Sequence, residues 1–255
     1  MKKSNYIYLY DNDFISLLSL IKILITKKVI PCNIKPNTYT PSLFEETFKE
    51  QISENEIIIK EIIDATSFYI LNTMYKIFLS EHNDKEIIIY YFFVHALKYQ
   101  NKIYYMRNLK SVTEALKIEK FVEHETHKFK GFLRFKELKG GILYATIEPD
   151  NNIILFLSKH FKQRLQNEFW IIEDKKRQLI SIYDKNNFYI TSSECFNILD
   201  KELSEAEEDI ENLWKNFYKT IAIKERTNYR CRMNFMPKKY WKYIIEMSDK
   251  NENSY

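Results

Sequence analysis

Nine cationic side chains fall within residues 215–242: Lys215, Lys219, Lys224, Arg226, Arg230, Arg232, Lys238, Lys239 and Lys242. Glu225 is the one acid among them, and Phe217, Tyr218, Tyr229, Phe235, Tyr240 and Trp241 are interleaved. Lys and Arg neutralise phosphates and aromatic rings stack on exposed bases, so this is the composition of a surface that follows a nucleic-acid strand. The alternative is a solvated helix face over core aromatics, with the acidic stretch at 200–211 as its internal counter-charge. A second basic cluster, His127, Lys128, Lys130, Arg134 and Lys136, lies where a helix gives way to a strand. Cations near a helix C-terminus also balance the macrodipole, so these residues have a structural reading as well.

Other reactive residue types form weaker patterns. His124-Glu125-Thr126-His127 resembles a zincin helix, but that motif needs its second His four residues after the first, where Lys128 stands. Glu148, Asp150, Glu173, Asp174 and Asp184 fall at expected strand ends, where nucleases carry carboxylates and where ordinary turns also carry acids. His127 or His160 has the right unperturbed pKa for acid–base work, with Glu148 or Asp184 as partner. Cys32, Cys195 and Cys231 are scattered and odd in number, without the spacing of a disulfide framework, zinc knuckle or iron–sulfur cluster. With three glycines in the chain, no Walker or dinucleotide loop is present. No metal and no cofactor are expected, and whether the chain is catalytic stays open.

The elements that position these residues follow from periodicity. Ile7–Tyr10 reads as a strand, Asp11-Asn12-Asp13 as a turn and N-cap, and Phe14–Thr26 as a dense apolar helix. Asn12 suits a left-handed turn. Pro31, Pro36 and Pro41 break the next stretch into loop or short extended pieces. Residues 55–79 and 84–99 read as helices, the second nearly all apolar, and 111–128 as a charged amphipathic helix. The period then changes. Residues 131–137 and 142–148 alternate like strands around a Lys139-Gly140-Gly141 hairpin turn. In the first strand, alternation sets Phe132, Arg134 and Lys136 on one face. Helix is expected at 153–166, strands at 169–173, 178–183 and 188–191, and helices at 202–221 and 237–246. The fold class is α+β. A mostly helical N-terminal region (1–110) precedes a core (111–247) with an antiparallel sheet of about five strands flanked by helices, and then a frayed tail (248–255).

Bulk composition agrees with a globular chain: 45% hydrophobic and 29% charged. The net charge of +4 says little about partners, so any nucleic-acid signal rests on where the charge lies. The opening, in which Lys2 and Lys3 are followed by polar Ser4 and Asn5 and then by Asp11 and Asp13, lacks a signal peptide, and the apolar run at 14–25 is too short to span a bilayer. A cytoplasmic protein with no membrane partner is expected.

Several segments carry a resemblance. They are His127-Lys128-Phe129-Lys130-Gly131-Phe132-Leu133-Arg134-Phe135, Tyr144-Ala145-Thr146-Ile147-Glu148-Pro149-Asp150, and His160-Phe161 with Arg164. Trp170, Asp174, Arg177, Leu213-Trp214 and Met236-Pro237-Lys238-Lys239-Tyr240-Trp241 continue it. The chain resembles a bacterial family of DNA metabolism or repair proteins whose core is a domain of unknown function. Such genes accompany a radical-SAM protein proposed to act on DNA, and some members carry a fused uracil-DNA-glycosylase-like domain. No such domain is among these segments, and glycosylase activity is not expected here. Tyr229 and Arg232 depart from the family pattern, which has Pro and Gln there. The resemblance implies a DNA-binding accessory component of a repair or modification system, with DNA and the radical-SAM protein as partners. His127, Lys130 and Arg134 would form one contact region, and Arg226, Arg230, Lys238, Lys239, Tyr240 and Trp241 another. The alternatives are an enzyme acting on damaged DNA, nuclease or glycosylase-like, and a protein-interaction scaffold.

Overall fold

A computed structural model describes residues 2–50, 57–195, 203–226 and 228–247. The expected tail at 248–255 lies outside the described residues. The chain divides into two compact units, Met1–Glu123 and His124–Tyr255.

The first unit is not purely helical. Strands β1 (Lys2–Lys3) and β2 (Ile7–Tyr10) precede helix α1 (Phe14–Thr26), and β3 (Val29–Ile30), β4 (Asn33–Pro36) and β5 (Thr47–Lys49) come after it. β2 lies between β4 and β5, parallel to both. A helix between two strands returns the chain to its starting end, which makes the pair parallel. Pro36 ends β4 at the sheet edge, where a missing N–H is tolerated. The turn before α1 forms as its residues dictate. Asn12 sits at φ 40° and the Asp13 carboxylate accepts from Ser16 N–H at 2.8 Å. The helix expected over 55–79 is two, α2 (Ile58–Ala65) and α3 (Phe68–Phe78). Ser67 stands between them in extended geometry and caps Ile70 N–H, the hydroxyl competing with helix continuation. Then come α4 (Lys85–Tyr99) and α5 (Lys110–Phe132). Leu17, Leu18, Ile21, Ile70, Ile89 and Phe92 are fully buried in this unit's core.

The second unit holds the last turns of α5, then β6 (Lys136–Leu138), β7 (Ile142–Ile147), α6 (Ile154–Arg164), β8 (Trp170–Asp174), β9 (Leu179–Tyr183) and β10 (Phe188–Ser192). Helices α7 (Glu205–Ile221) and α8 (Tyr229–Phe235) and two 3-10 turns, Lys238–Tyr243 and Ile245–Met247, complete it. The sheet order is β10-β9-β8-β7-β6. It is mixed, which corrects the antiparallel expectation: β7 and β8 are parallel because α6 crosses over between them. The Gly140-Gly141 hairpin forms with φ of 95° and 77°. The first hairpin strand starts at Lys136 instead of Gly131, since α5 runs on through Phe132. One sheet face packs under α6, where Trp170 stacks on Tyr183 at 5.0 Å, Phe135 meets Phe161 edge-on, and Ser158 bonds Ser181 at 2.7 Å.

Candidate nucleic-acid interface and cleft

The last turn of α5 brings Lys130 to the mouth of a 470 Å³ cleft in the second unit. Gly131, Leu133, Arg134 and Phe135 continue along the wall. α6 and the residue after it contribute Phe161, Arg164 and Leu165; α7 contributes Glu207, Ile210, Glu211 and Trp214. Lys130 and Arg164 make no ion pair with a described residue. Both sit in the final turns of their helices, where part of their charge offsets the helix end. His160 lies one turn before Arg164 on the same helix face. Burial, with the charges of Lys130 and Arg164, holds its pKa below the ordinary imidazole value. Its Nε2 is buried without a hydrogen-bond partner among the described residues.

Arg134 is held in place. Its guanidinium donates to Gly131 O at 2.6 Å, capping α5, and pairs with Glu246 at 2.8 Å. It also lies 5.9 Å from the centre of the Trp214 ring, whose N–H donates to Glu246 at 3.1 Å. Burial pushes the Glu246 carboxyl up, but hydrogen bonds from its own backbone N–H, Arg134 and Trp214 outweigh that and hold it below the usual carboxylate range. The acid that answers Arg134 is therefore Glu246.

A second cleft, of 140 Å³, joins Arg134 and Lys136 to Tyr144, Thr146, Glu211, Lys242 and Tyr243. Residues of the first basic cluster thus meet Lys242 of the C-terminal one. Within that C-terminal set the members differ. Arg226 and Arg230 are exposed and make no side-chain ion pair with a described residue. Lys238 is exposed, 5.9 Å from the Trp241 ring centre. Tyr229 and Phe235, the ends of α8, are 52% and 74% exposed. Lys239 pairs with Asp150. Trp241 is half-buried and donates to Met236 O at 2.8 Å. Tyr240 is buried against Phe129 and Phe132, and its phenol donates to Glu125 at 2.7 Å. Burial and that bond push the phenol's pKa far up. Tyr240 is thus a packing residue. His127 is exposed on α5.

The acids named from sequence are engaged in ties. Glu125, inside the apparent metal motif, is buried and accepts from the N–H groups of Asp150 and Asn151, both at 2.8 Å, as well as from Tyr240. Glu148 accepts from Tyr243 at 2.5 Å and Lys242 at 3.3 Å, with Tyr243 foremost in holding its pKa below the ordinary value. Asp174 is fully buried, which raises its pKa against the pull of Arg177 at 3.0 Å. Glu173 accepts from Tyr144, and Asp184 accepts from two turn N–H groups. Neither His127 nor His160 hydrogen-bonds Glu148 or Asp184. Among the described residues no group of three His, Cys, Asp or Glu side chains is placed to hold a metal ion, and no helix is long and apolar enough to cross a membrane.

Residues 83–246, more than half of the chain, match the family described as a domain of unknown function, DUF4130. The chain belongs to this family. The DUF4130 region opens just before α4 and closes at Glu246, the residue that pairs with Arg134. Neither a curated protein nor a solved structure matches the chain. Both clefts lie within the DUF4130 region. Sequence reasoning missed Arg164, Glu207, Glu211, Trp214 and Glu246 as site residues. Arg164 had a signal, its four-residue spacing from His160 on a helix; Glu246 had none.

Proposed function

We propose that this chain is a DNA-binding accessory component of a repair or modification system, working with a radical-SAM partner. One observation carries the nucleic-acid part: Arg226, Arg230 and Lys238 are exposed and without ion pairs to described residues, and the rings of Tyr229 and Phe235 in the same stretch of chain are exposed too. Exposed cations with uncovered aromatics suit a single strand, with phosphates on the cations and bases on the rings. The repair context and the radical-SAM partner rest on the family resemblance of the segments from His127 to Trp241.

The test is a fluorescence-anisotropy titration with single-stranded, duplex and damaged DNA, with and without the partner. About four phosphate contacts give a log–log salt slope near −3 to −4, and Arg226→Ala or Arg230→Ala should each lower it by about one. A flat salt response, or no binding at low salt, overturns the reading. A second reading, a scaffold for the partner, draws on α7, where Ile210, Leu213, Phe217 and Ile221 form a half-exposed apolar stripe at helical spacing. If that reading holds, Leu213→Asp abolishes co-purification with the partner while DNA affinity stays unchanged.

A further inference from the structure

The 470 Å³ cleft has walls of opposite character. The end of α5, the segment after it and α6 supply Lys130, Arg134 and Arg164; α7 supplies Glu207 and Glu211. The side chains between are apolar, with Phe135, Phe161 and Trp214 the flat ones. The volume is that of a small-ligand site.

The two carboxylates are only partly used. Glu207 accepts Glu137 N–H through Oε2 at 2.9 Å, and Glu211 pairs with Lys136 through Oε1 at 2.5 Å. Beyond that charge contact, Glu211 Oε1 is buried without a hydrogen-bond partner among the described residues. On the opposite wall Lys130 and Arg164 have no ion pair with a described residue. Arg134 Nε and the neighbouring His160 Nε2 are buried donor or acceptor positions without a hydrogen bond among the described residues. Buried polar atoms are normally satisfied, so three orphans at or beside one cleft, Glu211 Oε1 included, point to a ligand that completes them.

We propose that the cleft binds a single nucleotide whose base carries an exocyclic amino group, its phosphate on Lys130 and Arg164 and its base amine on Glu207 and Glu211. A carboxylate accepts from the amino group of cytosine, adenine or guanine. Thymine has no amino group and sets carbonyl oxygens against that wall, where like meets like. Trp214 supplies the stacking face. The helix ends behind Lys130 and Arg164 carry partial negative charge, so the phosphate depends on both cations. The choice of a nucleotide rests on the nucleic-acid reading of the proposed function; the charge layout of the cleft does not.

The test uses the whole chain and follows tryptophan fluorescence and thermal shift with deoxycytidine monophosphate, thymidine monophosphate, deoxycytidine and inorganic phosphate. Deoxycytidine monophosphate should bind at least about tenfold more tightly than thymidine monophosphate. Arg164→Ala should weaken it about tenfold, and Glu211→Gln should reduce the preference over thymidine monophosphate. Should a variant fold poorly, the wild-type comparison of the four ligands decides alone. Equal binding of the two monophosphates, or none of either, overturns the proposal. Oligonucleotide binding with a steep salt slope in the same preparation would then leave the nucleic-acid reading standing. Selective binding of deoxycytidine monophosphate without oligonucleotide binding supports the cleft and removes that reading.

Discussion

Arg134 shows how a cation that suits a phosphate can belong to the fold. Its guanidinium closes the end of α5 and answers a carboxylate 112 residues away. The Glu246 side chain is 6% exposed, so deleting Arg134 leaves a buried charge uncompensated. Arg134→Ala should cost about 2–3 kcal/mol in urea unfolding, and a change within about 0.5 kcal/mol would contradict the pairing. This is why DNA contacts are better tested at Arg226, Arg230 and Arg164, which make no ion pair with a described residue. The pair also sets a pH dependence. Because the Glu246 pKa is lower folded than its ordinary 4.5, its contribution is complete above that value and is lost as pH falls through the folded pKa. Glu246→Gln should flatten that part of the acid limb in a stability–pH profile. Tyr240 makes a parallel case: Tyr240→Phe keeps the ring and deletes one donor to the buried Glu125 carboxylate, so it should cost about 1–2 kcal/mol while DNA affinity stays put.

At the scale of elements, strong local chemistry was readable and relations between distant segments were not. Phe14–Thr26 has a capping Asp, dense apolar content and a polar stop, and it forms as a helix with those ends. The Gly140-Gly141 turn was legible because both residues adopt positive φ, which glycine alone accepts freely. Gly140→Ala meets no neighbour within 4 Å, so its penalty is purely conformational, about 1 kcal/mol in thermal or urea denaturation; a neutral substitution would contradict the turn geometry. The parallel β7–β8 pairing had its signal too, in the helix expected at 153–166, because a crossover helix dictates it. The end of α5 was hidden. Residues 131–135 alternate like a strand, yet helix continues through Phe132 and Phe135 turns inward to Phe161 and Trp170. The candidate site was legible to the extent that its basic residues cluster in sequence. Its acidic wall, Glu207 and Glu211, lies in a stretch whose composition reads as solvent-facing.

For the molecule as a whole, the final described segment is fastened within the second unit through four acids: Asp150 takes Lys239, Glu125 takes Tyr240, Glu148 takes Tyr243, and Glu246 is held by Arg134 and Trp214. The spans run from 95 to 115 residues for the ties to Glu125, Glu148 and Arg134. These ties succeed one another along the chain, so a pull on the C-terminus loads them in turn, from Glu246 back to Lys239. A zipper opened from its end yields at the strength of one tooth. Under tension this segment should peel away before the sheet gives, and anything tethered beyond it would tug first on the two clefts.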